Sequence, residues 1–311
     1  MALRLICALT LAAAAASVSS PSPAFAAPNP FAVPVLVDQA SAAHARMLEM
    51  RRAGDGRHRA VARIARQPQA FWMTGPERLG ELRDYLARAK SSRRLALVVV
   101  YAVPGRDCGS HSAGGASDTA RYLGLVRQVS RTLSSHRAAV ILEPDAIAGA
   151  DCLDAAGRQA RYGQLSRAGR MLSAGGRAVY LDAGHSSWHD AQTMAVRLRA
   201  SGVSRLRGFA LNVSNHQTDT ASIAYGQQLR RLLGGSTRFV IDSSRNGAGP
   251  APEGAWCNPP GRRLGRAPRV SSLPGLDAFA WIKRPGESDG TCNGGPQAGR
   301  FSDSLALSLA R

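Results

Sequence analysis

Short apolar runs recur along the chain at residues 69–73, 95–101, 138–144, 178–183, 208–213, 238–243 and 278–283, with helical stretches between them. Several runs are nearly all apolar, as strands are when a parallel sheet is covered on both faces. The helices show in their spacing. Residues 77–90 set Leu79, Leu82 and Leu86 on one face, and residues 119–134 gather Tyr122, Leu125, Val126 and Val129. Residues 217–233 and 301–310 repeat the pattern, and a helix around 42–50 belongs to a lead-in before the first strand. Strand–helix alternation of this kind predicts one α/β domain on a parallel sheet.

An open doubly wound sheet and a closed barrel both satisfy that rhythm. The polar residues separate them. Strand two runs into Tyr101 and Arg106-Asp107-Cys108, and strand three into Glu143-Pro144-Asp145. Strand four runs into Asp182 and His185, and strand five into Asn212 and Asn215. Strand six meets Asp242, Arg245 and Asn246, and strand seven meets Lys283, Glu287 and Asp289. A barrel builds its site at the carboxyl ends of many strands together; a doubly wound sheet gathers it at one switch point. The expected fold is therefore a seven-stranded parallel β/α barrel. No G-x-G-x-x-G or Walker sequence follows a strand, so no nucleotide cofactor is expected.

The ends and the charge bound the class. Arg4, an apolar run over 5–16 and Ala24-Phe25-Ala26 read as a signal peptide over residues 1–26, which leaves a domain over 27–311. The product is expected to be secreted or periplasmic, and monomeric. Without Cys7, the remaining cysteines are Cys108, Cys152, Cys257 and Cys292. In an oxidising compartment they read as two disulfides, and sequence order favours Cys108–Cys152 and Cys257–Cys292, each closing a local loop. No C-x-x-C pair suggests a metal. The formal net charge is +19, almost all of it arginine, with Lys90 and Lys283 the only lysines. The arginines are spread along the chain and not blocked, so neither a nucleic acid nor a membrane partner is expected.

Several strand-end carboxylates without a metal-ligand spacing, a G-x-S-x-G elbow or an H-E-x-x-H helix point to acid/base chemistry. Glycoside hydrolysis needs a protonated carboxyl on the leaving oxygen and a second carboxylate to activate water or attack. Asp107 and Asp145, ending adjacent strands, suit a coupled pair in which one charge raises the other's pKa. Both residues, and Asp242, also belong to the residue type preferred as a helix N-cap, and Asp242 could instead close its own turn. Trp72, Trp188 and Trp256, set among polar residues, suit sugar stacking, whereas Trp281 within an apolar run reads as core. Both proposed disulfides would brace loops that carry these residues.

Ten motifs then occur in order: NPF at 29–31, VD at 37–38, YAVPGRDC at 101–108, SAGG at 112–115, ILEPD at 141–145, LDAGH at 181–185, NVSN at 212–215, DSSRNG at 242–247, WCNPPGR at 256–262 and WIKRPGESDG at 281–290. In these the chain resembles glycoside hydrolase family 6, the endoglucanase and cellobiohydrolase family, over essentially all of 27–311. The resemblance implies a distorted seven-stranded β/α barrel and inverting attack on β-1,4-glucosidic bonds. It implies Asp145 as general acid, Asp107 as the aspartate that raises its pKa, and Asp289 as the proposed base, with Tyr101 and Ser112 near the reactive sugar and its water. Trp72, His185, Trp188, Asn212, Trp256, Lys283 and Glu287 match glucan-binding positions, and Asp182 matches a supporting aspartate grouped with them. No cofactor or metal is implied. A cellulose-binding module and its linker are absent from the sequence, and the chain is too compact for the long loops of a tunnel. An open cleft and endo action are therefore expected, with exo action or non-catalytic glucan binding as alternatives.

Overall fold

The computed structural model describes residues 27–311; the expected signal peptide, 1–26, lies outside the described residues. Seven parallel strands form the sheet: β1 (Phe71–Met73), β2 (Ala96–Val100), β3 (Ala138–Leu142), β4 (Ala178–Asp182), β5 (Gly208–Leu211), β6 (Arg238–Asp242) and, after the short β7 (Arg269–Val270), β8 (Leu276–Ala280). Their order is β1-β2-β3-β4-β5-β6-β8-β7, and only β7 is antiparallel to its neighbour. The sequence gives no sign of β7, which is two exposed residues long. The last apolar run also begins earlier than its pattern suggests and leaves the sheet at Ala280. β1 and β8 share no ladder. One bond from the Ala70 N–H to the Trp281 carbonyl (3.1 Å) and one from the Trp72 indole N–H to the Ile282 carbonyl (2.9 Å) join the two edges. The barrel is thus a curled sheet stitched at its seam, a distorted form of the expected one.

Helices return the chain between strands: α3 (Leu79–Ser91), α4 (Thr119–Thr132), α5 (Ala155–Ser173), α6 (Ala191–Ala200) and α7 (Asp219–Leu232). The lead-in holds α1 (Ala42–Arg52) and α2 (His58–Ala65), and α8 (Asp303–Leu309) closes the chain. The nineteen-residue α5 escapes a search for an apolar stripe because Arg161, Ala168 and Gly169 interrupt Tyr162, Leu165 and Leu172 on its buried face. At Gly169 a Cβ would lie 2.9 Å from a Leu206 methyl, so α5 and the segment before β5 approach closely there and glycine leaves room for the leucine. Side chains of Asp118, Asp154, Asp190 and Thr218 accept the N–H three residues on and start α4, α5, α6 and α7. Each such cap contributes roughly 1 kcal/mol.

Alternation along the strands decides which side chains reach the site. Val98 and Val100, Val140 and Leu142, Val179 and Leu181 face the helices in the larger core. Leu97, Val99 and Tyr101, Ala139 and Ile141, Ala178 and Tyr180, Ala210 and Val240 fill the barrel. Continuing that period of two carries Tyr101, Glu143, Asp182 and Asp242 to the inner side of the carboxyl rim. The opposite end is closed by the N-terminal segment. Phe31 is buried with its ring centroid 6.2 Å from that of Tyr180, and the Asn29 amide donates to the Asp277 carbonyl at 2.8 Å. Beside them the Asp277 carboxylate accepts from Tyr180 Oη and Arg207 Nε, both at 2.6 Å, in a buried pair. Trp281 is core, as expected: it packs among α1, α2 and α8 and donates its indole N–H to the Arg266 carbonyl at 2.9 Å.

Candidate active site

The carboxyl ends of the strands surround a cleft of about 1560 Å³. Trp72, Tyr101, Asp107, Ser112, Asp145, His185, Trp188, Trp256, Lys283, Glu287 and Asp289 all line it. Asp182 and Asn212 do not: both are fully buried and do not line the cleft. Asn212 spends its amide on its surroundings, donating to the Asp242 carbonyl (2.9 Å) and accepting the Gln217 N–H (2.9 Å). Neither is placed to touch a glucan; both hold the floor.

The floor is backbone under constraint. Glu143 and Asp145 have φ of 51° and 66°, on either side of Pro144. Non-glycine residues adopt this left-handed conformation at a cost of about 1–3 kcal/mol each, so the surroundings must enforce it. They do. The buried Glu143 carboxylate accepts the N–H groups of Ala102 (2.9 Å) and Val103 (3.0 Å), clamping the exit of β3 to that of β2. Asp182 Oδ2 accepts the N–H groups of Asp145 (2.9 Å) and Gly184 (3.0 Å). Asp242 accepts from Ser214, Ser244 and Lys283 N–H groups at 2.8–3.1 Å, tying the ends of β5, β6 and β8 together. The α-helices on this rim start from other residues, so none of Asp107, Asp145 and Asp242 serves as an α-helix N-cap.

The carboxyls differ sharply in proton affinity. Burial raises Asp145 to about 7, the charges of Asp107 and Asp289 add to the rise, and Lys283 opposes it. Asp289 is buried too, which would raise it, but Arg245 and Lys283 hold it well below the usual carboxylate range. Arg245 Nη1 lies 2.8 Å from Asp289 Oδ2 and Lys283 Nζ 3.0 Å from Oδ1, and the Asn258 N–H donates to Oδ2 at 3.0 Å. Asp107 Oδ2 accepts the Ser112 N–H at 2.6 Å, fixing the loop that carries Ser112. Burial, with the charges of Asp145 and Asp107, pushes the Tyr101 hydroxyl up, so it stays a neutral phenol. Arg106 lies over the Tyr101 ring at 4.6 Å and donates to the Ser112 carbonyl at 2.7 Å.

The cleft walls carry the aromatic surfaces. Trp188 is 38% exposed and rests on His185, with ring centroids 5.4 Å apart; Trp256 is 43% exposed. A Cβ at Gly184, where φ is +62°, would lie 3.2 Å from the Trp188 ring, so glycine lets the indole lie over the end of β4. Trp72 is half-buried and meets Tyr101 edge-on at 5.4 Å. Both expected disulfides are present, with Cα separations of 6.2 Å for Cys108–Cys152 and 6.1 Å for Cys257–Cys292. His111 approaches both sulfurs of the second bridge, but they are bonded to each other and offer no thiolate to a metal.

Two residues matter that the motif reading did not single out for the site. Arg245 holds Asp289, and its donation to the Ser214 carbonyl anchors it. His216 lines the cleft; burial, then the charge of Arg245, lowers it to about 4, so its ring is neutral at pH 7. Its Nδ1 lies 3.1 Å from the Arg245 carbonyl, and Nε2 has no partner among the described residues. A histidine directly after the NVSN motif was the available signal.

Comparison with known proteins decides the lineage. Residues 31–311 match the glycosyl hydrolases family 6. The chain belongs to that family. Among family 6 relatives, endoglucanase A of Cellulomonas fimi is 46% identical over 256 residues, which is 81% of this chain and 56% of that protein. Endoglucanase 1 of a Streptomyces species (strain KSM-9) is 42% identical, over 83% of this chain and 74% of its own. The chain thus spans little more than half the length of the first of these. Among solved structures, the endoglucanase Cel6 of Mycobacterium tuberculosis, in complex with methyl-cellobiosyl-4-deoxy-4-thio-β-D-cellobioside, has a TM-score of 0.85 at 42% identity, covering 91% of this chain and 98% of that one.

Proposed function

We propose that this family 6 protein is an exported endo-β-1,4-glucanase that hydrolyses internal bonds of cellulose or a related β-glucan with inversion. The observation that carries the reading is the Asp145 carboxyl, held at about 7 in a cleft whose walls expose tryptophans. At neutral pH and below, Asp145 keeps the proton that a leaving glucosyl oxygen needs. A water then attacks the anomeric carbon from the opposite face. The C1–O bond breaks, the Asp145 proton goes to the leaving oxygen, and a proton of the water must leave. Asp289 is the candidate acceptor. Its ion pairs with Arg245 and Lys283 make it a weak base, so it draws a proton only from a water already turning into product, directly or through a second water. The Asp107 charge favours the protonated form of Asp145 before transfer. Binding alone has no use for such an acid.

Endo action rests on the relatives. The proteins at 38–46% identity are named endoglucanases, whereas an exoglucanase of Agaricus bisporus is 30% identical. One contact favours exo action: His111, on the loop after β2, meets Trp256 after β6 at 5.7 Å and partly roofs the cleft. Carboxymethylcellulose separates the two. Endo cleavage lowers viscosity early, while reducing ends are still few; release of cellobiose with viscosity nearly unchanged would establish exo action. Fresh product in the α-anomeric form is the expected sign of inversion, and a fresh β-anomer would refute it.

A further inference from the structure

Arginine is scattered along the sequence, but the parallel sheet gathers one group of it in space. Every connection from a helix back to the next parallel strand lies at the end of the barrel opposite the cleft. Arg137, Arg177 and Arg207 stand immediately ahead of β3, β4 and β5, Arg238 opens β6, and Arg93 and Arg94 stand just ahead of β2. Some have structural duties there. Arg177 Nε donates to the Leu172 carbonyl at the end of α5 (2.8 Å), and Arg207 pairs with Asp277. A cation near a helix C-terminus also complements the helix dipole. Arg93, Arg94, Arg137, Arg205 and Arg231 are also exposed at this end, and of these only Arg231 lies in the last turn of an α-helix, α7. Among the described residues none of the five has a carboxylate within ion-pair distance. The acids that start helices, Asp118, Asp154, Asp190 and Asp219, lie at the other end, beside the cleft.

An apolar element joins these cations. The β7–β8 hairpin turns at the same end, with Leu273 42% exposed in the turn and Val270 49% exposed on the strand leading to it. The Arg230 side chain lies against this turn: a Cβ at Gly275 would meet its Cδ at 2.4 Å. We propose that this basal face docks on an anionic lipid surface, with the arginines at the phosphate headgroups and the Val270–Leu273 hairpin entering the interface. Headgroup phosphates complement the charge, and the interface accepts the exposed aliphatic groups. A soluble polyanion satisfies only the first. Docking in this way points the cleft away from the membrane, toward polymer in solution.

Sedimentation with vesicles tests the idea, using the chain from Ala27 onward, which contains every described element. Vesicles of phosphatidylcholine and phosphatidylglycerol in equal parts are expected to carry the protein down at low salt, and pure phosphatidylcholine vesicles to leave it in solution. Reversing Arg93, Arg137 and Arg231 to Glu is expected to weaken partitioning by at least about 100-fold, since each surface arginine contributes roughly fivefold. The Val270→Ser/Leu273→Ser variant is expected to release from the vesicles at lower salt than the unaltered protein. Both variants should hydrolyse a soluble glucan at the normal rate, which also certifies their fold. No sedimentation with anionic vesicles, or unchanged binding after charge reversal, overturns the proposal. Unchanged vesicle binding in the hairpin variant, with equal affinity for a soluble acidic polysaccharide, makes the face a general polyanion patch and overturns the lipid assignment.

Discussion

The proposed role of Asp145 as the acid requires it to keep a proton that a solvated aspartate loses near pH 4. Its burial and the neighbouring charges of Asp107 and Asp289 supply the shift. Activity is therefore expected to fall as pH rises through about 7. Asp107→Asn removes one repelling charge, so this limb should move to lower pH; a limb that stays in place would separate Asp107 from the acid. Asp145→Asn keeps the shape and removes the proton, and kcat should fall by roughly 10²–10⁴-fold. The same shift governs stability. A carboxyl whose folded pKa is raised stabilises the fold below its unfolded pKa and loses that contribution as pH rises through about 7. Asp145→Asn should therefore melt above the unaltered protein at alkaline pH and match it near pH 4. An equal Tm on the alkaline side would show that the charged form carries no penalty.

The elements that carry the site are loops braced against strand ends. Cys108–Cys152 ties the loop after β2 to the turns after β3, and so holds Asp107 relative to Asp145. Replacing both cysteines with serine should cost about 2–4 kcal/mol of stability, read by urea unfolding. Activity should drop further than unfolding explains at temperatures where the barrel is intact. On the cleft wall, Trp188→Ala should raise KM on cello-oligosaccharides by about tenfold or more, the loss of a large rigid stacking face, while kcat moves less. A change confined to kcat would argue that Trp188 acts on the reaction centre instead. How much of this was legible in the sequence follows from what each residue contacts. The strands and their polar ends were legible, because burial on both faces leaves an unmistakable apolar run. Asp107, Asp145 and Asp289 were legible as cleft residues through the ordered motifs and not through strand-end position alone, since Glu143, Asp182 and Asp242 also stand at strand ends and spend their carboxylates on backbone N–H groups. The long α5 was not, since Arg161, Ala168 and Gly169 interrupt the large apolar residues of its packing face. Asp182 and Asn212 match motif positions, yet their burial depends on how deeply the rim folds over them, which no local pattern reports.

At the scale of the molecule, the barrel keeps its chemistry and its closure at opposite ends. The closing end rests on Phe31, Tyr180 and the buried Arg207–Asp277 pair. Phe31→Ala should destabilise the fold by about 3–5 kcal/mol, measured by denaturant unfolding, while the affinity for oligosaccharide in the folded fraction stays normal. A matching loss of affinity would mean that the two ends are coupled through the barrel interior. The sorting of arginines belongs to this scale as well: their even scatter along the chain conceals a basic end that exists only once the strands lie side by side.

The plug under the barrel also sets an order in time. Asn29 and Phe31 are among the first described residues to be synthesised, and the carbonyl that receives Asn29 belongs to Asp277 in β8, the last strand of the sheet. Synthesis runs from the N-terminus, so the opening segment has no finished seat until nearly the whole chain has been made. The earliest described piece completes its contacts only with the last strand, and a chain cut short before β8 leaves Phe31 its Tyr180 contact but Asn29 without its acceptor.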